Sequence, residues 1–349
     1  MSHPPSGYPE ALAAAWADHL APRADDAPTV ISTFAGTGGS SLGYSMAGYR
    51  ELLAVEWDNH AAACFRLNFP GVPLYHGDIA KLSVARVLDR TGLAVGELDV
   101  FDGSPPCQGF STSGNRDFGD ARNRLFEQFA RLLEGLQPRA FVMENVSGMV
   151  AGPMKLTFVD CLRTLKKAGY RVSARILDAR YHGVPQMRRR LIFVGAREDL
   201  GVEPTHPRGT TWPIGVREAW RGIPDVPGPP TGPRAACWAS TILPGTNNGD
   251  GRYSRPMLGK KIGFNACRLH WDRPSPTLTK THASSAPFLH PERPLARITI
   301  EQAKRIGSFP DAFAIPGAYT AAWARIGNSV PPLLMRAVAA HVRATILGR

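Results

Sequence analysis

A single cysteine at the end of a short apolar run is the first residue here whose setting suits covalent chemistry. Residues 98–101 read as a strand, and Asp102-Gly103-Ser104-Pro105-Pro106-Cys107-Gln108-Gly109-Phe110-Ser111 follows. Pro105 and Pro106 fix two φ angles and remove two amide donors. A support this stiff would aim the Cys107 thiol off the carboxyl edge of a sheet, where open α/β proteins bind ligands. Cys107 is therefore a candidate nucleophile. Glu144-Asn145 ends another strand pattern, and a carboxyl there would flank the same edge, so that a nucleophile and a proton donor face one crevice. In isolation a strand-end Glu is more often a cap or a surface group. Gln186-Met187-Arg188-Arg189-Arg190 leads into a further strand. Alternation would turn Arg188 and Arg190 to one face, and a buried Arg pairs with a carboxylate or a phosphate. A solvated charge run is the bland alternative.

A second group of residues suits ligand binding. Phe34-Ala35-Gly36-Thr37-Gly38-Gly39 follows the first strand pattern and opens a helix. Glycines there allow close backbone approach, and the helix start attracts a phosphate or carboxylate. The next strand ends in Glu56, placed as acids that bond ribose hydroxyls are placed. Trp57 beside it could lie flat on an adenine. Gly77-Asp78-Ile79 would offer a carboxylate to an exocyclic amine, although alone it is only a turn. A glycine loop of this kind also fits dinucleotide-binding oxidoreductases.

These groups need elements to hold them. Residues 29–34, 51–56, 99–101 and 140–143 read as strands, and 40–47, 59–68, 84–89, 123–136 and 155–168 as helices. Residues 171–177 and 191–194 read as a late antiparallel pair. The alternation predicts an α/β fold with a doubly wound, mostly parallel sheet. The pattern breaks near residue 201, and dense Pro and Gly leave no helix or strand period to about residue 251. Residues 201–296 hold twelve Lys and Arg against six Asp and Glu, half of the chain's net charge of +12 in little more than a quarter of its length. Trp212, Trp238, Trp271 and Tyr253 are interleaved there. The segment is expected to be a separate, irregular, basic lobe with a DNA-contacting surface; a loop-rich structural insertion is the alternative on composition alone. Within it, residues 277–279 read as a supporting strand. Helical spacing returns at 299–306 and 330–346. The expected division is a loosely held arm at 1–28 with a short helix at 10–20, a sheet domain at 29–200, the lobe at 201–296, and a segment at 297–349 returning to the sheet domain.

Composition narrows the classes. The chain has 349 residues, 43% hydrophobic and 20% charged, which predicts a well-cored globular protein. No apolar run is long enough for a membrane span, and no secretory leader pattern opens the sequence. Cys64, Cys107, Cys161, Cys237 and Cys267 are scattered, without zinc-ligand spacing. No metal is expected, and free thiols fit a reducing cytoplasm. The four cysteines other than Cys107 read as structural.

Taken in order, these motifs resemble the DNA (cytosine-5)-methyltransferase family. Phe-Ala-Gly-x-Gly-Gly is followed by Glu56-Trp57, Gly77-Asp78, Pro-Pro-Cys-Gln, Asp120-x-Arg122, Glu144-Asn145-Val146 and Gln186-x-Arg188-x-Arg190. Arg297-x-Thr299, Phe309-Pro310-Asp311 and Ile326-Gly327-Asn328-Ser329-Val330-Pro331 complete the set, which runs from Thr29 to about residue 340. The resemblance implies a Rossmann-like class I methyltransferase fold with a target-recognition lobe at 201–296. It implies S-adenosylmethionine as cofactor, leaving as S-adenosylhomocysteine, and double-stranded DNA as partner. Cys107 would attack C6 of a flipped cytosine, Glu144 would protonate or hydrogen-bond N3, and Arg188, with Arg190 near it, would bond the base carbonyl O2. Phe34, Gly36, Gly38, Glu56, Trp57, Asp78, Ile79, Pro106, Leu125, Asn328 and Ser329 would border the cofactor. Gln108, Ser111, Ser113 and Arg122 would contact DNA from the loop, and Arg252, Arg255, Lys260, Lys261 and Arg273 from the lobe, with Arg208 and Arg268 as further candidates. One departure stands out: the family usually has Asp where this chain has Ser32, which predicts weaker loop anchoring. The family also implies a bacterial or phage cytoplasmic monomer, with a cognate restriction endonuclease as a possible companion. A tRNA cytosine-5 methyltransferase of the same fold is the alternative, but the Cys-Phe-Thr tripeptide of such enzymes is missing from the lobe. A non-catalytic relative would not need Cys107, Glu144 and Arg188 together.

Overall fold

The structure is a computed structural model that describes residues 7–106, 124–152, 154–261, 266–280 and 287–348. Two compact units result. One comprises Met1–Ala15, Ala179–Arg188 and Gly209–Ser329, the other Trp16–Asp178, Arg189–Arg208 and Val330–Arg349.

The second unit is built on a seven-stranded sheet in the order β3-β2-β1-β4-β5-β8-β6. Its strands are β1 (Thr29–Thr33), β2 (Arg50–Glu56), β3 (Leu74–His76), β4 (Val100–Gly103), β5 (Ala140–Val146), β6 (Tyr170–Asp178) and β8 (Arg189–Arg197). The first five are parallel, and β8 runs antiparallel to both β5 and β6. The doubly wound reading therefore holds, as does the late antiparallel pair. Every residue of β1 and β4 is buried, as expected of central strands covered on both faces. Register fixes the working edge. Thr33 pairs with both Val55 and Gly103, and Gly103 with Met143. Phe34, Glu56, Ser104 and Glu144 are each the next residue beyond that row. The chain reverses its direction of build between β1 and β4, the place where such sheets open a ligand crevice.

Helices α2 (Gly39–Met46), α3 (Asn59–Asn68), α4 (Val84–Thr91), α5 (Arg124–Leu136) and α6 (Met154–Lys167) form close to where spacing predicts them. Phe129 of α5 packs on Phe101 with ring centroids 4.9 Å apart, and Phe141 on Tyr170 at 5.2 Å. The first contact ties α5 to β4, and the second joins residues of β5 and β6. Helix α12 (Pro332–Val342) returns to cover α2: a Cβ on Gly43 would meet Met335 Cβ at 2.6 Å. Only glycine permits that approach.

The other unit corrects several expectations. Residues 201–251 are not free of helix: α7 (Val216–Ala219) and α8 (Pro233–Ala239) form there, and α9 (Arg255–Leu258) follows, α8 with proline at its permissive first position. The strand expected at 277–279 is β10 (Ser275–Pro276) instead, paired in parallel with β7 (Gln186–Met187). Strands β9 (Cys267–Arg268) and β11 (Phe288–Leu289) pair likewise. Trp238 is not a surface aromatic but the centre of a small core with Ala235, Ala239, Ile242, Ala266 and Leu289. Residues 297–329 belong with this unit rather than with the sheet. The reason is α10 (Ile300–Ile306): Trp220 Nε1 donates to Gln302 O and Arg305 Nη1 to Ala219 O. A further helix, α11 (Tyr319–Asn328), carries Tyr319, Ala322, Trp323 and Ile326 at helical spacing. The arm is not loose either. Helix α1 (Tyr8–Leu20) buries Tyr8, Leu12 and Ala15, and Tyr8 Oη donates to Arg305 O at 2.5 Å.

Candidate active site

Beyond β4 the chain passes through Ser104 to Pro105 and Pro106. A Cβ on Gly103 would lie 2.3 Å from Thr33 Oγ1 and 2.8 Å from the Phe129 ring, so the strand reaches its end only as glycine. Asn145 Nδ2 then donates to Pro105 O at 3.1 Å, while its own Oδ1 accepts from Val146 N at 2.9 Å. Asn145 was quoted in the motif without a role; it fastens the cysteine's support to β5. Pro106 is half-buried. Cys107, Gln108, Ser111, Ser113 and Arg122 lie outside the described residues.

Glu144 is buried at the end of β5, and Arg190 Nε holds its Oε1 at 2.7 Å. The pairing follows from register. Val146 sits opposite Arg190 and Glu144 opposite Ile192, so residues 144 and 190 are diagonal neighbours on one face. Arg188 has different surroundings. Its Nη1 donates to Leu278 O (2.9 Å) and Gly327 O (3.1 Å), its Nη2 to Ser329 O (2.9 Å), and it is 3% exposed. The guanidinium is a strut between three distant carbonyls. Arg188→Met should leave those carbonyls unsatisfied and cost about 3 kcal/mol, read as a lowered Tm; an unchanged Tm would deny the strut.

The glycine loop is shaped by its backbone. Phe34 takes φ 55, a left-handed conformation rare outside glycine, while Gly36 takes φ 59 and Gly38 φ 98. A Cβ on Gly38 would strike the Phe69 ring, whereas one on Gly36 would meet nothing within 4 Å, so the loop is open on the Gly36 side. Glu56 is buried and organises the turn: Oε2 accepts from Gly36 N (2.7 Å), Oε1 from Trp57 N (2.8 Å) and Asp58 N (2.7 Å). Each carboxylate oxygen takes two or more donors, so this use is compatible with a ribose hydroxyl. Trp57 is 78% exposed. Asp78 is exposed and accepts from Ala80 N, Ile79 is buried in the core, and Leu125 packs half-buried against it. Asn328 is exposed at the end of α11, and Ser329 Oγ donates to Arg325 O, both within the other unit.

Beneath α2 lie two acids with no part in these contacts. Ser41 Oγ donates to Glu51 Oε1 at 2.8 Å, and Tyr44 Oη to Asp102 Oδ1 at 3.3 Å. Burial pushes Glu51 up to about 7, against the pull of the Ser32 and Ser41 hydroxyls. Burial, with Glu51 nearby, pushes Asp102 well above the usual carboxylate range. Between the ordinary value of 4.5 and about 7 the folded chain keeps a proton on Glu51 that the unfolded chain releases. Rising pH through that window therefore favours unfolding. The Tm of the native chain should fall relative to that of Glu51→Gln as pH rises across it, with a ceiling of about 3 kcal/mol. Parallel Tm curves would contradict this.

Arg252, Arg255, Lys260, Lys261 and Arg273 are all exposed, with Arg252 paired to Asp250 at 2.8 Å. Arg208 is exposed too, but Arg268 is buried and donates to Ser240 O, which removes it as a surface contact. Cys64, Cys161 and Cys267 are buried, as structural thiols should be, while Cys237 is exposed. Among the described residues no cluster of His, Cys, Asp and Glu could hold a metal ion, and no helix is long and apolar enough to cross a membrane.

Known proteins match this arrangement over most of its length. The family model for C-5 cytosine-specific DNA methylase matches residues 28–236 and 246–344. The type II methyltransferase M1.HphI of Haemophilus parahaemolyticus is 32% identical, covering 90% of this chain and 86% of its own. M.NgoPII of Neisseria gonorrhoeae is 31% identical over 91% of this chain and 96% of its own. The crystal structure of a putative DNA modification methyltransferase encoded within an E. coli prophage superimposes with a TM-score of 0.75 at 23% identity, covering 93% of this chain and all of the other. With the family model matched across most of its length and relatives more than 30% identical over about nine tenths of it, the chain belongs to the C-5 cytosine-specific DNA methylase family.

Proposed function

We propose that this chain transfers a methyl group from S-adenosylmethionine to C5 of a cytosine flipped out of duplex DNA, through a covalent adduct between Cys107 and C6. The observation that carries the reading is the Glu144 carboxyl, held by Arg190 one residue beyond the row on which β4 also ends, with Asn145 fastening Pro105.

Cytosine C5 is a poor nucleophile. Addition of the Cys107 thiolate at C6 forms a carbon–sulfur bond and pushes the ring electrons toward C5 and N3. Glu144 hydrogen-bonds or protonates N3 and so stabilises that charge. Arg190 orients Glu144 and is the guanidinium nearest it in the described register, so we assign to Arg190 the bond to O2 that the sequence reading gave to Arg188. Loss of the C5 proton to solvent and cleavage of the carbon–sulfur bond then restore the ring and the thiolate.

The residues present fit the cofactor: an open glycine loop, an exposed Trp57 for an adenine, and Glu56 with acceptor capacity left for a ribose. When bound, S-adenosylmethionine supplies an electrophilic sulfonium methyl group and departs as S-adenosylhomocysteine. Phe34, Gly36, Glu56 and Trp57 would hold it, with Pro106 and Leu125 along its border. The chain would act as a monomer on DNA in a bacterial cytoplasm, beside an endonuclease of the same specificity; the names of its bacterial relatives support that setting.

Bisulfite sequencing of DNA from cells expressing the chain should show protected cytosines in one sequence context. No protection with soluble, cofactor-binding protein would overturn the reading. The exposed lysines give a second test. Lys260→Ala with Lys261→Ala should weaken duplex binding and lower the slope of log affinity against log salt by about 2. An unchanged slope would remove both from the DNA interface.

A further inference from the structure

The two acids beneath α2 take no part in the reaction as derived, yet one of them joins its two halves. Asp102 lies on β4, three residues before Pro105 and 2% exposed. Its Oδ1 accepts from Tyr44 Oη of α2, the helix that the glycine loop opens. Thr33 Oγ1 donates to Asp102 O at 3.0 Å, tying the same residue to the strand that precedes the loop. On its far side α2 is clamped by α12 through Gly43 against Met335 and Pro332, and Tyr49 Oη donates to Ala339 O. Helix α2 is thus fixed in height between α12 and the acids. Ser32, where the family pattern carries its acid, is the direct register partner of Asp102 and is itself fully buried.

We propose that Asp102 is a positioning residue, which sets the strand end bearing the Cys107 support against the helix that carries the cofactor loop, and that it supplies from β4 the carboxyl this chain lacks at residue 32. Paired residues on parallel strands present their side chains to the same face, so an acid at either place reaches the same side of α2. The proposal rests on the methyltransferase reading.

The test is an exchange across the register pair, with cofactor binding measured without DNA. Asp102→Ser should weaken S-adenosylmethionine binding about tenfold, the effect of one lost hydrogen bond, and slow adduct formation on duplex containing 5-fluorocytosine. Ser32→Asp combined with Asp102→Ser should restore both. Tyr44→Phe, which removes only the donor hydroxyl, should weaken binding in the same direction and decides the matter if Asp102→Ser does not fold. Native affinity in both Asp102→Ser and Tyr44→Phe would overturn the proposal, as would a folded exchange variant no better than Asp102→Ser. If the native chain binds cofactor but never forms an adduct, the methyltransferase reading fails, while the binding comparison still judges Asp102.

Discussion

Cys107→Ala is expected to lower methyl transfer by at least about 10⁴-fold while duplex and cofactor affinity stay close to native. Alanine keeps the loop's backbone and removes only the nucleophile, so binding and base extrusion have no reason to change. In the proposed mechanism, without a carbon–sulfur bond at C6 the ring gains no electron density at C5. Among the described residues of that unit, Cys64 and Cys161 are both buried. The sharper readout is covalent. On 5-fluorocytosine duplex the Cys107 thiolate of the native chain should add at C6 and the base should receive the methyl group at C5, and the adduct should then stall, because fluorine cannot leave C5 as a proton does. The product should survive a denaturing gel. Cys107→Ala should give none, and a trapped species or native turnover in that variant would take the nucleophile's role away from Cys107.

Much of the site was legible because it lies on strand ends. An apolar run, two prolines and a cysteine define a strand end locally, as do the runs before Phe34, Glu56 and Glu144. The parallel register then brings those ends to one row. The roles of the two arginines were not legible. Alternation gives a side chain's face but not its partner. Arg188 bonds carbonyls 90 to 141 residues away in sequence, while Arg190 meets Glu144 through the antiparallel register of β5 and β8. Trp238 misled for a related reason. A tryptophan among arginines reads as a surface aromatic until Ala235 and Ala239, at helical spacing, are seen to make room for it in a small core. The docking of α1 depends on Tyr8 and a carbonyl almost 300 residues on, and no local pattern carries such information. The acids at 51 and 102 sit in strand patterns, and only the packing of α2 over them shows that Asp102 is buried and Glu51 half-buried against Ser41.

Glu144→Gln is expected to slow methyl transfer about 10²- to 10⁴-fold, with duplex affinity retained. The amide has the volume of the acid and keeps an oxygen for Arg190 Nε, so the wall of the pocket survives. It has no acidic proton to give and holds charge on N3 poorly. Arg190→Met acts on the same carboxyl from the other side, leaving Glu144 buried without its counter-charge and free to turn. If Arg190 works through Glu144, the two losses should not add: the double variant should be about as slow as the slower single variant. If Arg190 also bonds O2 directly, the double variant should be slower than either, and Arg190→Lys should recover little, because an ammonium lacks the planar fork that can serve a carboxylate and a carbonyl together. Single-turnover rates on one duplex separate these outcomes. A near-native rate in Glu144→Gln would leave the N3 position without its acid and require another donor at the end of β5.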